Sequence, residues 1–214
     1  MCIRDRDDPD KVTELLGALG FYMMAVIVGL IIHMSLTYTT LLRFYVQMPL
    51  KTFFTGIGPA QLLAFSTSSS GATLPVTMER CEDELGVSEE VSSFVLPLGA
   101  TINMDGTALY QAVAAVFISQ AIGLDLSLLD QLTIVVTTVL ASIGTAAVPG
   151  AGIIMLVIIL EAIGVPSTGI ALILGVDRIL DMLRTVINVT GDATIAITIA
   201  SSEGQLQPPK EVAD

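Results

Sequence analysis

The sequence predicts an all-α membrane protein in which transmembrane helices are accompanied by two re-entrant helical hairpins. Three observations carry this. Hydrophobic residues make up 53% of the 214 residues and charged residues 14%, against about 45–50% and about 25% in soluble domains, and the mean hydropathy is +0.79. Leu15–Met34 (LLGALGFYMMAVIVGLIIHM) contains no Asp, Glu, Lys or Arg, and about twenty helical residues span the roughly 30 Å of bilayer hydrocarbon. Later apolar regions are broken by Ser, Gly and Pro clusters, where a helix loses a donor or gains unusual dihedrals.

The chain opens MCIRDRDDPDK, a charged stretch that runs straight into the first helix. Residues 1–11 are expected to be a disordered or non-native start, left by truncation or assembly. The first span is too long for a signal-peptide core and no cleavage site follows it. Its His33 reads as a packed or interfacial residue, because no second His, Cys or carboxylate stands at a ligand spacing. Arg43 and Lys51 follow the span and Arg80 lies in the next polar loop, whereas Gly123–Gln131 has no Lys or Arg. The former side is therefore expected to be cytoplasmic, and residues 201–214 to form a polar cytoplasmic tail.

Three interrupted regions come next. Gln61–Pro75 ends in STSSSGATLP, Val91–Gly123 is interrupted by NMDGT at Asn103–Thr107, and Leu132–Gly164 is split by SIGTAAVPGAG at Ser142–Gly152. The halves of the last are about 12 residues each, too short to cross a bilayer. Non-helical backbone at such a tip must lie in protein or line a wet cavity. SSGATLP (Ser69–Pro75) and IGTAAVP (Ile143–Pro149) echo each other, and each precedes a helix bearing an Asn and an Asp. Paired interrupted segments point to an inverted-repeat transport core with its site between the repeats.

The last apolar region, Gly169–Ala200, carries GVDRILDMLRTVINVTGD. Asp177, Asp181, Arg184, Asn188 and Asp192 fall on one helical stripe about 80° wide. A solvated amphipathic face is the plain alternative, but the flanks are apolar on both sides. Charges inside a membrane are costly and mark function. Four aspartates (Asp105, Asp177, Asp181, Asp192) face at most two arginines, Arg184 and the off-stripe Arg178, which leaves two or more negative charges for cations to match. Asn103, Thr101, Thr107, Thr145, Asn188 and carbonyls freed at the Gly-rich breaks are oxygen donors suited to hard ions. Sodium is the first candidate and the proton the second. The Arg184 fork suits a carboxylate, and Asp181 suits an ammonium. Together they match both ends of an acidic amino acid.

Other classes fit poorly. The net charge is −12 without a basic cluster, which argues against nucleic acid. Cys2 and Cys81 make neither a disulfide framework nor a zinc site. No Ser–His–Asp set, Cys–His pair or phosphate loop is present, so the chain is not expected to be an enzyme and no organic cofactor is implied. An intramembrane aspartyl protease needs two facing carboxylates sharing a proton. The stretch TGD lacks the turn such enzymes use, and Arg184 would disturb the pair.

GATINMDGTALYQ (Gly99–Gln111), ASIGTAAVPGAG (Ala141–Gly152) and DMLRTVINVTGD (Asp181–Asp192) together resemble the glutamate transporter family, the dicarboxylate/amino acid:cation symporters. The likeness runs from about Val12 to Ala200, the expected transport-core fragment of residues 12–200. It implies a multi-pass protein of the cell (inner) membrane whose full-length form is a homotrimer with eight membrane helices. This chain would supply the last three of those helices and both hairpins, and an N-terminal scaffold half would be its partner.

Residue by residue, the resemblance implies that Asp181 meets the substrate amino group and Arg184 its side-chain carboxylate. Thr107, Thr185 and Asn188 would also bind substrate, enclosed by Ser70 and the Val148–Gly152 tip. Asp192 with Gly99, Asn103 and Asn188 would form one sodium site, and Asp105 with Asn103 part of another. Thr101, Ser142, Ile143 and Thr145 would supply a third, closed when the second hairpin shuts as the outer gate. Relatives carry a second arginine beside the site, where this chain has Ser68 or Met182. A C4-dicarboxylate carrier or a proton-coupled carrier of the same family is the alternative. Asp181 favours an amino acid, because a dicarboxylate has no ammonium to offer it.

Overall fold

A computed structural model describes residues 9–207, all-helical apart from one antiparallel bridge between Val87 and Leu206. Of the expected irregular start, residues 1–8 lie outside the described residues, as do residues 208–214 of the expected tail.

Helix α1 (Pro9–His33) begins on a proline, whose fixed φ suits the first helical position. It does not stop at Met34. The hydroxyl-rich run after His33 widens into π-helical turns at Met34–Tyr38 and Leu41–Val46, ending at Gln47 with φ 61°. The resulting stretch Leu15–Val46 is long and apolar enough to cross a membrane. It is longer than the sequence predicts, because Ser and Thr side chains are accommodated by the helix rather than breaking it.

Helices α2 (Leu50–Thr67) and α3 (Ser70–Asp83) pack on each other across a two-residue break. Helix α2 starts well before the expected Gln61, since Pro59 sits inside it. Ser68 takes a left-handed conformation (φ 54°), and Ser69 Oγ accepts from the Ala72 amide to cap α3. Helix α4 (Glu89–Ile102) is capped by Ser88, with Glu89 and Glu90 in its first turn, where the helix dipole favours acids. It ends at Asn103, and α5 (Asp105–Ala121) resumes two residues later.

Helices α6 (Leu128–Ile143) and α7 (Ala151–Ala162) form the second packed pair. Helix α6 opens at Leu128 instead of Leu132 because Ser127 and Asp130 form a reciprocal capping box. The two breaks are not copies. Pro75 lies inside α3, whereas Pro149 lies in the loop before α7. Leu132, Val136, Leu140 and Ile143 leave an exposed apolar face along α6, suited to lipid.

A 3-10 turn (Ser167–Leu172) leads into α8 (Leu174–Ser202). This helix joins two hydrophobic clusters. Its first half, through Leu180 and Ile187, packs with α1 and α5 in a cluster to which α6 and α7 also contribute. Its second half, through Val189, Ala193, Ala196 and Ala200, packs with α2, α3 and α4. The polar stripe of α8 crosses the boundary between the clusters, where both helix breaks converge.

Candidate functional site

The α8 stripe is not a solvated face. Asp181, Arg184 and Asn188 are each 3% exposed and Asp192 is 4% exposed. Asp177, one turn earlier, is half-buried and accepts from the Tyr110 hydroxyl. Arg178 lies exposed, off the stripe.

Asp181 and Arg184 are each other's partners. Nη2 and Nε of Arg184 donate to Asp181 Oδ1 at 2.6 and 3.0 Å. The other carboxylate oxygen accepts from the Gly150 amide at 2.9 Å. Arg184 Nη1 also donates to Thr107 Oγ1 at 3.3 Å, and the guanidinium lies 5.0 Å from the Tyr110 ring centre, a cation–π distance. Asn188 Nδ2 donates to Thr107 Oγ1 at 2.9 Å, while its Oδ1 accepts from the Thr107 amide at 3.3 Å. The Thr185 hydroxyl is bonded within α8, to the Asp181 carbonyl at 2.7 Å.

Both breaks close over this pair. Gly152, in the first turn of α7, packs so tightly on Arg184 that a Cβ there would lie 1.8 Å from Nη1. Gln111 Nε2 fixes the Gly152 carbonyl at 3.0 Å. The tips also touch each other: Ser69 Oγ and the Gly71 amide donate to the Ala147 carbonyl at 2.7 and 3.1 Å. Ser68, Ser70, Val148 and Thr145 join Asp181 and Arg184 around a cavity of ≈ 10 Å³, about the size of one water. A larger ligand enters only if the tips part.

Ser69→Ala removes both the α3 cap and a bond between the tips. It is expected to cost about 1–2 kcal/mol of stability and to speed labelling of a cysteine placed at buried Ser70. An unchanged labelling rate would contradict the role given to that contact.

A second polar group lies at the α4–α5 break. Asn103 Nδ2 donates to Asp192 Oδ1 at 3.0 Å, and a Cβ on Gly99 would fall 2.8 Å from the same oxygen. Asp105 is bonded to the Tyr38 hydroxyl and lies 2.6 Å from His33 Nε2. Among the described residues no three His, Cys, Asp or Glu side chains converge. The donors are carboxylate, amide, hydroxyl and carbonyl oxygens, which suit a hard monovalent cation.

The third expected group is less assembled. Thr101 is exposed, and its hydroxyl donates to Leu98. The Ser142 and Thr145 hydroxyls donate to carbonyls of α6, and Ile143 is exposed. Among the described residues no hydrogen bond joins Thr101 to the other three.

Tyr110, Gln111, Tyr38 and His33 touch these polar groups; the sequence alone assigns the first three no role and reads His33 as packed or interfacial. A signal existed for two of them: Tyr110 and Gln111 follow Thr107 by three and four residues, so they share its face of α5. Nothing local marks Tyr38 or His33, which reach Asp105 from the π-helical turn after α1 and from the end of α1, across 67 and 72 residues.

A family model described as the sodium:dicarboxylate symporter family matches residues 9–202. Excitatory amino acid transporter 3 of Mus musculus is 51% identical over 182 residues, covering 84% of this chain and 34% of that protein. Excitatory amino acid transporter 2 of Mus musculus is 50% identical over 176 residues, covering 82% of this chain and 31% of that protein. Human excitatory amino acid transporter 3 is 49% identical over 182 residues, covering 84% of this chain and 34% of that protein. The chain therefore spans about a third of the length of these relatives.

Proposed function

We propose, from the premise that this chain belongs to the sodium:dicarboxylate symporter family, that it carries the substrate and ion sites of a sodium-coupled symporter of acidic amino acids. The buried Arg184–Asp181 pair beneath the two tips carries this reading. Breaking a buried ion pair leaves an uncompensated charge. Aspartate or glutamate offers a replacement for each partner, a carboxylate to the Arg184 fork and an ammonium to Asp181. The exchange gives each member of the pair a new partner and leaves one substrate carboxylate, a negative charge for a cation to match; a dicarboxylate has no ammonium to offer Asp181.

Thr107, Asn188 and Thr185 stand beside the pair to bind the same ligand. In this reading Asp192 with Gly99, Asn103 and Asn188 holds one sodium, Asp105 with Asn103 takes part in a second, and Thr101, Ser142, Ile143 and Thr145 supply a third. The α6–α7 pair acts as a re-entrant outer gate, and α2–α3 as its inner counterpart, for alternating access. The Gly150–Asp181 bond supports the gate, since a substrate ammonium at Asp181 would compete with that amide for the carboxylate. A full-length homotrimer with an N-terminal scaffold half completes the proposal. The expected cytoplasmic side is supported by the Val87–Leu206 bridge, which brings the loop after Arg80 and the chain after α8 to one end.

Uptake by the full-length transporter containing this segment tests the reading. L-aspartate is expected to accumulate in proteoliposomes under an inward sodium gradient and not under a proton gradient alone. Uptake of succinate in preference to aspartate would instead favour a C4-dicarboxylate carrier. Gly99→Ala places a methyl against Asp192 and is expected to raise the half-saturating sodium concentration severalfold; an unaltered sodium curve would remove Asp192 from the ion sites.

A further inference from the structure

The Asp105 carboxylate receives three hydrogens. The Gly106 amide donates to Oδ1 at 2.9 Å, and Oδ2 meets both His33 Nε2 at 2.6 Å and the Tyr38 hydroxyl. An ionised carboxylate only accepts, so His33 Nε2 bears a hydrogen; Thr37 Oγ1 lies 3.3 Å from Nδ1. Tyr38 differs from His33 in having two acceptors within reach of one hydrogen. Its hydroxyl lies 3.2 Å from the Ile187 carbonyl of α8 as well as against Asp105.

The room for this hydroxyl is built into α8. A Cβ on Gly191 would fall 2.6 Å from the Tyr38 hydroxyl and 3.0 Å from Asn103 Nδ2. Tyr38 is 2% exposed, so its oxygen meets no bulk water. The bare stretch of α8 at Gly191 thus faces both Tyr38, which is bonded to Asp105, and Asn103, which is bonded to Asp192.

We propose that the Tyr38 hydroxyl oxygen is a ligand of the sodium ion carried on Asp105. This rests on the sodium-coupled reading above. A cation against the carboxylate repels the hydroxyl hydrogen. That hydrogen turns from Asp105 Oδ2 to the Ile187 carbonyl, and a lone pair then faces the ion. Only rotation about the C–O bond is needed, with no movement of backbone. The Ile187 carbonyl is the rest position that keeps the hydroxyl satisfied while it serves the ion. His33 cannot do this through Nε2, whose lone pair is replaced by the hydrogen it donates.

The test is a sodium titration of the thermal midpoint of the purified full-length protein, in the absence of substrate, with choline replacing sodium. Tyr38→Phe keeps the buried ring and removes only the hydroxyl. It is expected to raise the half-saturating sodium concentration about five- to tenfold, the equivalent of one hydrogen bond or neutral ligand. Gly191→Ala, which presses a methyl on the hydroxyl, is expected to shift it in the same direction. A Tyr38→Phe protein with a lower midpoint in choline but the wild-type sodium half-saturation shows that the hydroxyl merely braces α1, and overturns the proposal. A wild-type protein that sodium does not stabilise overturns the sodium reading and this inference together.

Discussion

Arg184→Ala is expected to abolish sodium-driven uptake of L-aspartate. The side chain is 3% exposed, and its guanidinium contacts Asp181, Thr107 and the face of Tyr110. Truncation removes the guanidinium proposed to receive the substrate carboxylate and leaves Asp181 buried without its ion-pair partner. Breaking a buried pair costs about 3–5 kcal/mol of stability, the equivalent of roughly two to four orders of magnitude in an equilibrium constant. Two further variants separate binding from folding. Asp181→Asn combined with Arg184→Ala removes both charges, so it is expected to recover thermal stability without recovering aspartate binding. Arg184→Lys keeps the charge but not the planar fork and is expected to bind aspartate at least tenfold more weakly than wild type. Aspartate uptake by Arg184→Ala at the wild-type rate would sink the proposed substrate.

Gly152→Ala is expected to have the next largest effect. A Cβ at this position would lie 1.8, 2.5 and 2.8 Å from three guanidinium atoms of Arg184. A long side chain usually swings away from such a clash, but this one is held by its bonds to Asp181 and Thr107. Either α7 retreats from the site or the guanidinium turns from its partners. Both outcomes hinder closure of the tip, so apparent affinity for aspartate is expected to fall tenfold or more. Gly150→Ala is the control. Gly150 has φ 75° and open space around its Cβ, so alanine there costs about 1–2 kcal/mol through backbone strain alone. Equal losses of substrate affinity from the two variants would mean that the tip's backbone, not its contact with Arg184, decides closure.

Much of the site was legible because it is local. Asp181, Arg184, Asn188 and Asp192 repeat at helical spacing within one segment, and their burial follows from the apolar flanks. The breaks at Ser68–Ser69, Asn103–Met104 and Gly144–Gly150 fall within the Ser, Asn and Gly-rich clusters that interrupt the apolar runs. Helix limits were read less well. The capping box at Ser127 and the tolerated Pro59 moved α6 and α2 outward from the purely hydrophobic bounds. Periodicity reports which face is buried, whereas end positions depend on a few hydrogen bonds at each terminus.

The sequence by itself determined that the chain is helical and apolar, and that a single helix carries an acid, a base and an amide along one face. Only the tertiary structure decided what those groups meet. It pairs Asp181 with Arg184, brings the Ala147 carbonyl to the first tip, and sets Tyr38 and His33 on Asp105. The reason is physical. Helical spacing follows from a fixed rotation per residue, so it is written locally. Contacts across scores of residues depend on how the two hydrophobic clusters seat α1, the breaks and α8 against one another.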